Sequence, residues 1–270
     1  MFKVLIFILM SCFTKFILAD ETIIIGANPI PHAQILKFIQ PALKKQGITL
    51  VIKEFDGYRE LNTGLIQKSL DANYFQSTAY LQQYNIETGS NLVKLVAIHN
   101  EPIGLYASNS IKIKEFKKTK NLAKLPKNCI IAIGTDVVNQ NRALKLLEAN
   151  RMIKLKSKSK ISYFSIKDIT QNPYGLIFKE LDAAIMPRII NTGDIDLAII
   201  NSNYVLLSNL NPTKDAIFIE IPQKENDNLV VVRADEIQLP KIKKLALALQ
   251  DKSVKMYIKK QFNGAVIPSF

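Results

Sequence analysis

Apolar residues follow two alternating patterns along this chain: short continuous runs, and longer stretches with a period of three to four residues. In the first third, strands are predicted at 22–27, 49–55 and 71–76, and helices at 32–45, 58–69 and 80–84. Because a helix follows each strand, we expect a parallel sheet that is covered on both faces.

An extended stretch at 92–107, interrupted at 99–102, separates this series from a second one. The second series has predicted strands at 130–133, 161–166, 176–181, 195–200, 216–221 and 229–232, and helices near 139–148, 183–190, 201–204, 239–249 and 252–261. Two α/β series joined by extended crossings predict two lobes with a cleft between them. The predicted division is 20–105 for lobe one, 106–215 for lobe two, and 216–270 for lobe one again.

Residues 1–19 are predicted to be a signal peptide outside the fold. They combine a basic start at Lys3, an apolar core and a small-residue site before Asp20. The apolar run is shorter than the about 20 residues that span a bilayer. Cleavage after Ala19 and lipid attachment to Cys12 both stay open, and both export the protein to the periplasm, free or membrane-anchored.

Composition excludes several kinds of site. The net charge is +13, but the lysines are scattered and tryptophan is absent, so a solvated lysine surface is expected rather than a nucleic-acid groove. The two cysteines and two histidines are too few for a disulfide framework, a Cys-rich metal site or a multi-histidine metal site. We therefore expect a monomer without a metal or cofactor.

Arg142 is a candidate ligand residue. The predicted helix at 139–148 places it in the first turn, where the helix dipole disfavours a cation unless an anion binds there. Two interpretations are open: a solvated surface arginine, or a guanidinium that holds a carboxylate together with backbone N–H groups.

Ligands of parallel α/β sheets bind beyond the carboxyl ends of the strands. The residues predicted there are Asn28, Tyr74, Phe75, Gln76, His99, Asn139, Arg142 and Asn201. They supply aromatic rings, amides and one cation, but no nucleophile paired with a base. The pattern favours a binding protein over an enzyme.

Seven strings in order give the chain a family resemblance. They are DANYFQ at 71–76, EPIGLY at 101–106, NRAL at 141–144, KDITQNP at 167–173, DLAIIN at 196–201, LNP at 210–212 and GAVIP at 264–268. With these strings the chain resembles the NlpA-type lipoproteins, the methionine-binding proteins of ABC importers. The resemblance implies a two-lobed periplasmic-binding-protein fold (type II-like), each lobe a mixed sheet flanked by helices. It also implies delivery of methionine to a membrane permease.

The resemblance implies roles for individual side chains as well. The arginine of the Arg-Ala-Leu motif, Arg142 here, holds the substrate carboxylate. The thioether lies among Tyr74, Phe75 and His99. The amino-acid head group contacts Asn201, with Asn139 as a second amide.

Two residues depart from the family pattern. Ser77 stands where histidine is usual, and Asn141 where glycine is usual. These changes leave open another amino acid or a methionine-containing dipeptide as the ligand. An exported hydrolase that uses His99, or a surface adhesin, are alternatives from other functional classes.

Overall fold

The computed structural model describes residues 21–157, 163–208 and 210–270. The predicted signal segment, with Cys12, lies outside them. The strands of the described chain are β1 (Glu21–Ala27), β2 (Ile48–Glu54), β3 (Ala72–Ser77), β4 (Leu92–Asn100), β5 (Gly104–Ala107), β6 (Ile130–Gly134), β7 (Lys154–Leu155), β8 (Ile169–Gln171), β9 (Ile177–Leu181), β10 (Leu197–Ile200), β11 (Phe218–Ile219), β12 (Asp227–Arg233) and β13 (Ile267–Pro268).

The α-helices lie between these strands and after them. They are α1 (Gln34–Lys44), α2 (Arg59–Ile66), α3 (Thr78–Thr88), α4 (Lys114–Thr119), α5 (Val137–Ala149), α6 (Met186–Ile189), α7 (Ser202–Leu207), α8 (Pro212–Asp215), α9 (Pro240–Leu249) and α10 (Lys252–Phe262). Among the described residues, no helix combines the length and the apolarity that crossing a membrane would require.

The first lobe is built on a six-stranded sheet with the order β13-β4-β12-β3-β1-β2. β1 pairs in parallel with β2 and β3, as the alternation of strands and helices predicted. β12 and β13 come from the end of the chain and run antiparallel to their neighbours. The sheet is therefore mixed, and its central strands come from both ends of the described chain.

Helices cover both faces of this sheet. On one face, α1 buries Ile35, Leu36, Ile39 and Leu43 at helical spacing, against a core that also includes α9 and α10. On the other face, leucines of α2 and α3 pack with Phe75 of β3. Neighbouring residues of a strand point to opposite faces, so each strand contributes to both cores.

The second lobe contains a five-stranded sheet with the order β11-β5-β10-β6-β9. β6 lies parallel to both β9 and β10, whereas β5 is antiparallel to β10 and β11. The buried face of α5 packs through Leu144 and Leu147 against Ile131 and Ile133 of β6. This packing holds α5 against the sheet and directs its remaining polar residues toward the other lobe.

The strand pairings correct the predicted lobe boundaries. β5 and β11 pair within the second sheet, whereas division after 105 and after 215 assigned part of β5 and all of β11 to lobe one. The chain passes between the sheets at 101–103 and 220–226. A short apolar strand has the same pattern whichever sheet accepts it, so its partners come from the fold.

Some predicted elements differ from the structure. Residues 163–165 of the predicted strand at 161–166 are irregular and Ile166 begins a 3-10 turn, while 161 and 162 lie outside the described residues. The predicted helix at 183–190 is reduced to α6. The short α4 lies in a lysine-rich connector for which no element was predicted.

Leu245→Ala should reduce the free energy of unfolding by about 2–5 kcal/mol, because it removes a fully buried side chain from the first core. Leu247→Ala on the same helix is the matched control. Leu247 is 72% exposed, so its replacement should change the free energy by less than about 0.5 kcal/mol. Denaturant titration of both variants measures the difference, and equal effects would contradict this assignment of the core.

Candidate ligand-binding site

Arg142 lies in the second turn of α5, so its predicted position in the first turn was wrong. The helix begins at Val137, and the side chain of Asp136 caps it by accepting a hydrogen bond from the backbone N–H of Asn139 at 2.9 Å. Asp136 supplies the favourable charge at the helix N-terminus. The reason for the position of Arg142 is found in its contacts instead.

The Arg142 guanidinium is buried, with 8% of the residue exposed. Its Nε and Nη2 atoms donate to the two carboxylate oxygens of Glu220 at 3.1 and 2.6 Å. Nη2 also donates to the backbone carbonyl of Glu101 at 2.9 Å, and Nη1 donates to Asn139 Oδ1 at 3.1 Å. A guanidinium has five N–H groups, so one N–H at Nη1 lies outside these bonds.

An enclosed cavity lies beside this guanidinium, between the lobes. It is lined by Tyr58, Phe75, Gln76, Ser77, Tyr80, Glu101, Asn139, Arg142, Asn201, Asn203 and Asn228. Its volume is about 30 Å³, which is room for about two water molecules. A larger ligand can enter only if the surrounding side chains or the lobes move apart.

Four of the six ligand residues predicted from the sequence line this cavity: Phe75, Asn139, Arg142 and Asn201. Asn139 connects the others, because its Oδ1 accepts from Arg142 Nη1 and also from Asn201 Nδ2 at 3.0 Å. Its own Nδ2 donates to Asp136 at 3.0 Å. Asn139 therefore orients the arginine and the second asparagine; direct contact with a ligand remains a prediction.

Tyr74 and His99 do not line the cavity. Tyr74 faces away from Phe75, as neighbours in a strand must, and its hydroxyl is hydrogen-bonded to His99 Nδ1 in the core of the first lobe. His99 Nε2 lies 2.6 Å from Glu101 Oε1, and Glu101 does line the cavity. Both residues can thus act on the site through Glu101, whereas their contact with a thioether stays a prediction.

His32 completes this buried network. Its Nε2 atom lies 3.2 Å from Glu101 Oε1 and 3.0 Å from Asn228 Oδ1. Burial lowers the pKa of His32 to about 4 and that of His99 to about 3, and burial raises the pKa of Glu101. Both imidazoles are therefore neutral near pH 7. Counting histidines suggested that no site combined them, yet the fold brings both to one carboxylate.

The two departures from the family pattern have different surroundings. Ser77 lines the cavity and caps α3 by accepting from the backbone N–H of Tyr80 at 3.2 Å. Asn141 does not line the cavity; its Oδ1 accepts from the backbone N–H of Phe164 at 3.0 Å. Ser77 can therefore affect the pocket wall directly, while Asn141 holds a neighbouring segment against α5.

Several cavity residues carried no signal in the sequence. Tyr58, Tyr80 and Asn203 follow turns without a distinctive motif, and Asn228 reaches the site from β12, far along the chain. Asn203 was recoverable in part, because it stands two residues beyond Asn201 at the end of the same strand. Glu101 lies within a string that carried the resemblance but had no assigned role.

A second cavity of about 410 Å³ opens between the lobes on the outer side of Tyr58 and Tyr80. Its lining includes the carboxylates Glu60, Glu87, Asp136 and Asp182. The two tyrosines border both cavities. The outer cavity therefore leads from the surface of the cleft toward the enclosed one.

Comparison with known proteins identifies the family. The model of the family described as NlpA lipoprotein matches residues 23–270. The chain belongs to the NlpA lipoprotein family. The resemblance inferred from the seven strings is thereby confirmed.

Relatives of this NlpA-family chain match it over most of its length. A Bacillus subtilis (strain 168) protein named methionine-binding lipoprotein MetQ is 38% identical over 251 residues, which cover 92% of this chain and 88% of the relative. A structure described as a nutrient binding protein from Burkholderia cenocepacia bound to methionine has a TM-score of 0.84 and 38% identity, and covers 92% of this chain and 100% of that chain.

A further solved structure is described as a periplasmic substrate-binding protein of an ABC transporter from Coxiella burnetii. It has a TM-score of 0.81 and 34% identity, and covers 92% of this chain and 100% of that chain. These similarities confirm the predicted two-lobed substrate-binding-protein fold.

Glu220→Gln should reduce the free energy of unfolding by about 3–5 kcal/mol, because it leaves the buried guanidinium of Arg142 without a compensating charge. Glu54→Gln is the matched control. Its ion pair with Lys37 is formed by side chains that are 39% and 55% exposed, so the loss should be below about 1 kcal/mol. Urea denaturation compares the two; a small effect at Glu220 would argue against a structural role for the ion pair.

Lowering the pH from 6.5 toward 4 should destabilise the fold through His32 and His99. Below their ordinary pKa of 6.5, the unfolded chain binds protons that the folded chain refuses. Each histidine then contributes a loss of about 1.4 kcal/mol per pH unit. The raised pKa of Glu101 acts in the opposite sense, since the folded chain takes up that proton at a higher pH.

His32→Gln should therefore flatten the decline in stability by about 1.4 kcal/mol per pH unit between pH 6 and pH 4.5. Urea titrations at several pH values measure this slope. Leu247→Ala should keep the slope of the unsubstituted protein. An unchanged slope in His32→Gln would show that this histidine does not titrate differently in the folded and unfolded chains.

Proposed function

We propose that this protein is the substrate-binding component of an ABC importer, and that it captures methionine and delivers it to the membrane permease. It acts by binding and release, without catalysis. The observation that carries the proposal is the enclosed cavity between the lobes, where the free N–H of Arg142 faces a wall of aromatic rings. Relatives named for methionine binding support the choice of ligand.

The cavity has the two kinds of surface that methionine requires. Arg142 and its neighbouring asparagines can bind the charged end of an amino acid. Phe75, Tyr58 and Tyr80 form a cluster of rings with centroids 5.6–6.1 Å apart. A thioether is polarizable and gains about 0.3–1.5 kcal/mol from a contact with an aromatic ring.

Ligand entry requires the lobes to separate. The Tyr58 hydroxyl donates to Asn203 Oδ1 at 3.0 Å, and the Tyr204 hydroxyl donates to the backbone carbonyl of Asp56 at 2.8 Å. Both bonds cross between the lobes and close the cavity. Rotation at the two crossing segments would break them and open the site, as in other hinged binding proteins.

Export and attachment to the membrane fit this role. Relatives are named lipoproteins, and the segment before the described chain has the pattern of a signal peptide with Cys12 available for a lipid. Held at the membrane surface, the protein would present its ligand to the permease as a monomer.

Isothermal titration of ligand-stripped, refolded protein with L-methionine tests the proposal. Arg142→Lys retains the charge but loses the Nη1 donor, and should weaken binding by about 10- to 100-fold. Arg188→Lys is the matched control: Arg188 is exposed on α6, so affinity should be unchanged. No heat of binding and no thermal shift with the unsubstituted protein would refute the methionine assignment.

A parallel thermal-shift screen with the other amino acids and with methionine-containing dipeptides identifies the ligand in that case. Stabilisation by one of these alone would retain the binding-protein role and replace the ligand. Turnover of a substrate that is lost in His99→Ala would instead favour a hydrolase.

A further inference from the structure

Asn203 presents an unused donor to the enclosed cavity. The residue is 2% exposed and stands in the first turn of α7. Its Oδ1 accepts from the Tyr58 hydroxyl at 3.0 Å, while its Nδ2 has no hydrogen-bond partner among the described residues. Buried amide groups are nearly always hydrogen-bonded, so an unpartnered one that lines a cavity indicates a missing acceptor.

A second unused donor lies in the same cavity. The Nε and Nη2 atoms of Arg142, the pair that commonly binds a carboxylate side-on, are both bound to Glu220. Only Nη1 has an N–H outside the bonds described, and its neighbour Asn139 holds it in place. A ligand carboxylate therefore cannot take the two-bond fork that an isolated arginine would offer.

From these two donors, we propose that Asn203 Nδ2 and Arg142 Nη1 together bind the carboxylate of the ligand, so that Asn203 is a specificity-determining residue. The inference rests on the proposed function, since it assumes an amino-acid ligand. An acceptor with two oxygens satisfies one donor with each, whereas a neutral ligand without that group leaves both buried donors unpaired.

Tyr58 connects this recognition to closure of the lobes. Tyr58 comes from the first lobe and Asn203 from the second, so their hydrogen bond forms only when the lobes meet. Because the tyrosine hydroxyl takes the Oδ1 atom, Nδ2 is left directed to the cavity. Closure thus orients the donor that contacts the ligand.

Titration calorimetry with L-methionine tests the assignment. Asn203→Ala removes the donor and should weaken binding by about 10- to 100-fold. Asn203→Asp places a carboxylate against that of the ligand and should weaken binding more than Asn203→Ala does at pH 7. Asn191→Ala, at an exposed asparagine of the same lobe, should retain the affinity of the unsubstituted protein.

A double-mutant cycle separates recognition from folding. Tyr58→Phe retains Asn203 and removes only the hydroxyl that orients it, so it should weaken binding less than Asn203→Ala. The combined variant should bind no more weakly than Asn203→Ala alone, because the tyrosine acts through the asparagine. Far-UV circular dichroism confirms that each variant is folded. If the Asn203 variants fail to fold, a crystal structure of the unsubstituted complex decides, with Nδ2 expected within about 3.2 Å of the ligand carboxylate.

Three outcomes would overturn the inference. Unchanged affinity in Asn203→Ala would remove Asn203 from the site. Equal or tighter binding in Asn203→Asp would assign the residue to the ammonium group of the ligand. A ligand carboxylate bound elsewhere in the crystal structure would exclude the contact. If the unsubstituted protein itself does not bind L-methionine, the proposed function fails instead.

Discussion

The buried ion pair between Arg142 and Glu220 connects the parts of the molecule that have to work together. Arg142 belongs to a helix of the second lobe, while Glu220 and Glu101 lie in the two segments where the chain passes between the lobes. One guanidinium thus fastens both crossings to α5. Charges buried to this degree are tolerated only when they are paired and hydrogen-bonded, and here four of the five N–H groups have acceptors.

This ion pair also determines what remains for a ligand. Because Glu220 takes the side of the guanidinium that would bind a carboxylate with two bonds, only the Nη1 edge is directed to the cavity. Amides then become important: Asn139 positions the arginine, and Asn203 offers a donor of its own. An amino acid would be held by several neutral groups around one charge, which allows it to be released without separating a strong two-bond ion pair.

The buried network of His32, His99 and Glu101 has a different role from the one that the resemblance suggested for His99. Both rings are neutral and donate to one carboxylate, so they keep Glu101 in place at the edge of the cavity. Tyr74 extends the network into the core. Polar residues that reach the site only through others are thus part of how the first lobe shapes the pocket.

The sequence by itself determined the α/β class, the parallel start of the first sheet, the two lobes and the family. These follow from the period of the apolar residues, the turn residues between them and the order of short strings, which are local properties. It also placed Phe75, Asn139, Arg142 and Asn201 near the ends of strands that meet at the cleft. The tertiary structure decided the rest: which side of β3 faces the ligand, which sheet accepts β5 and β11, and that Glu220 occupies the fork of Arg142. Those features depend on contacts between residues 25 to 145 positions apart, such as Tyr74 with His99 and Tyr58 with Asn203, and no local pattern records such a contact.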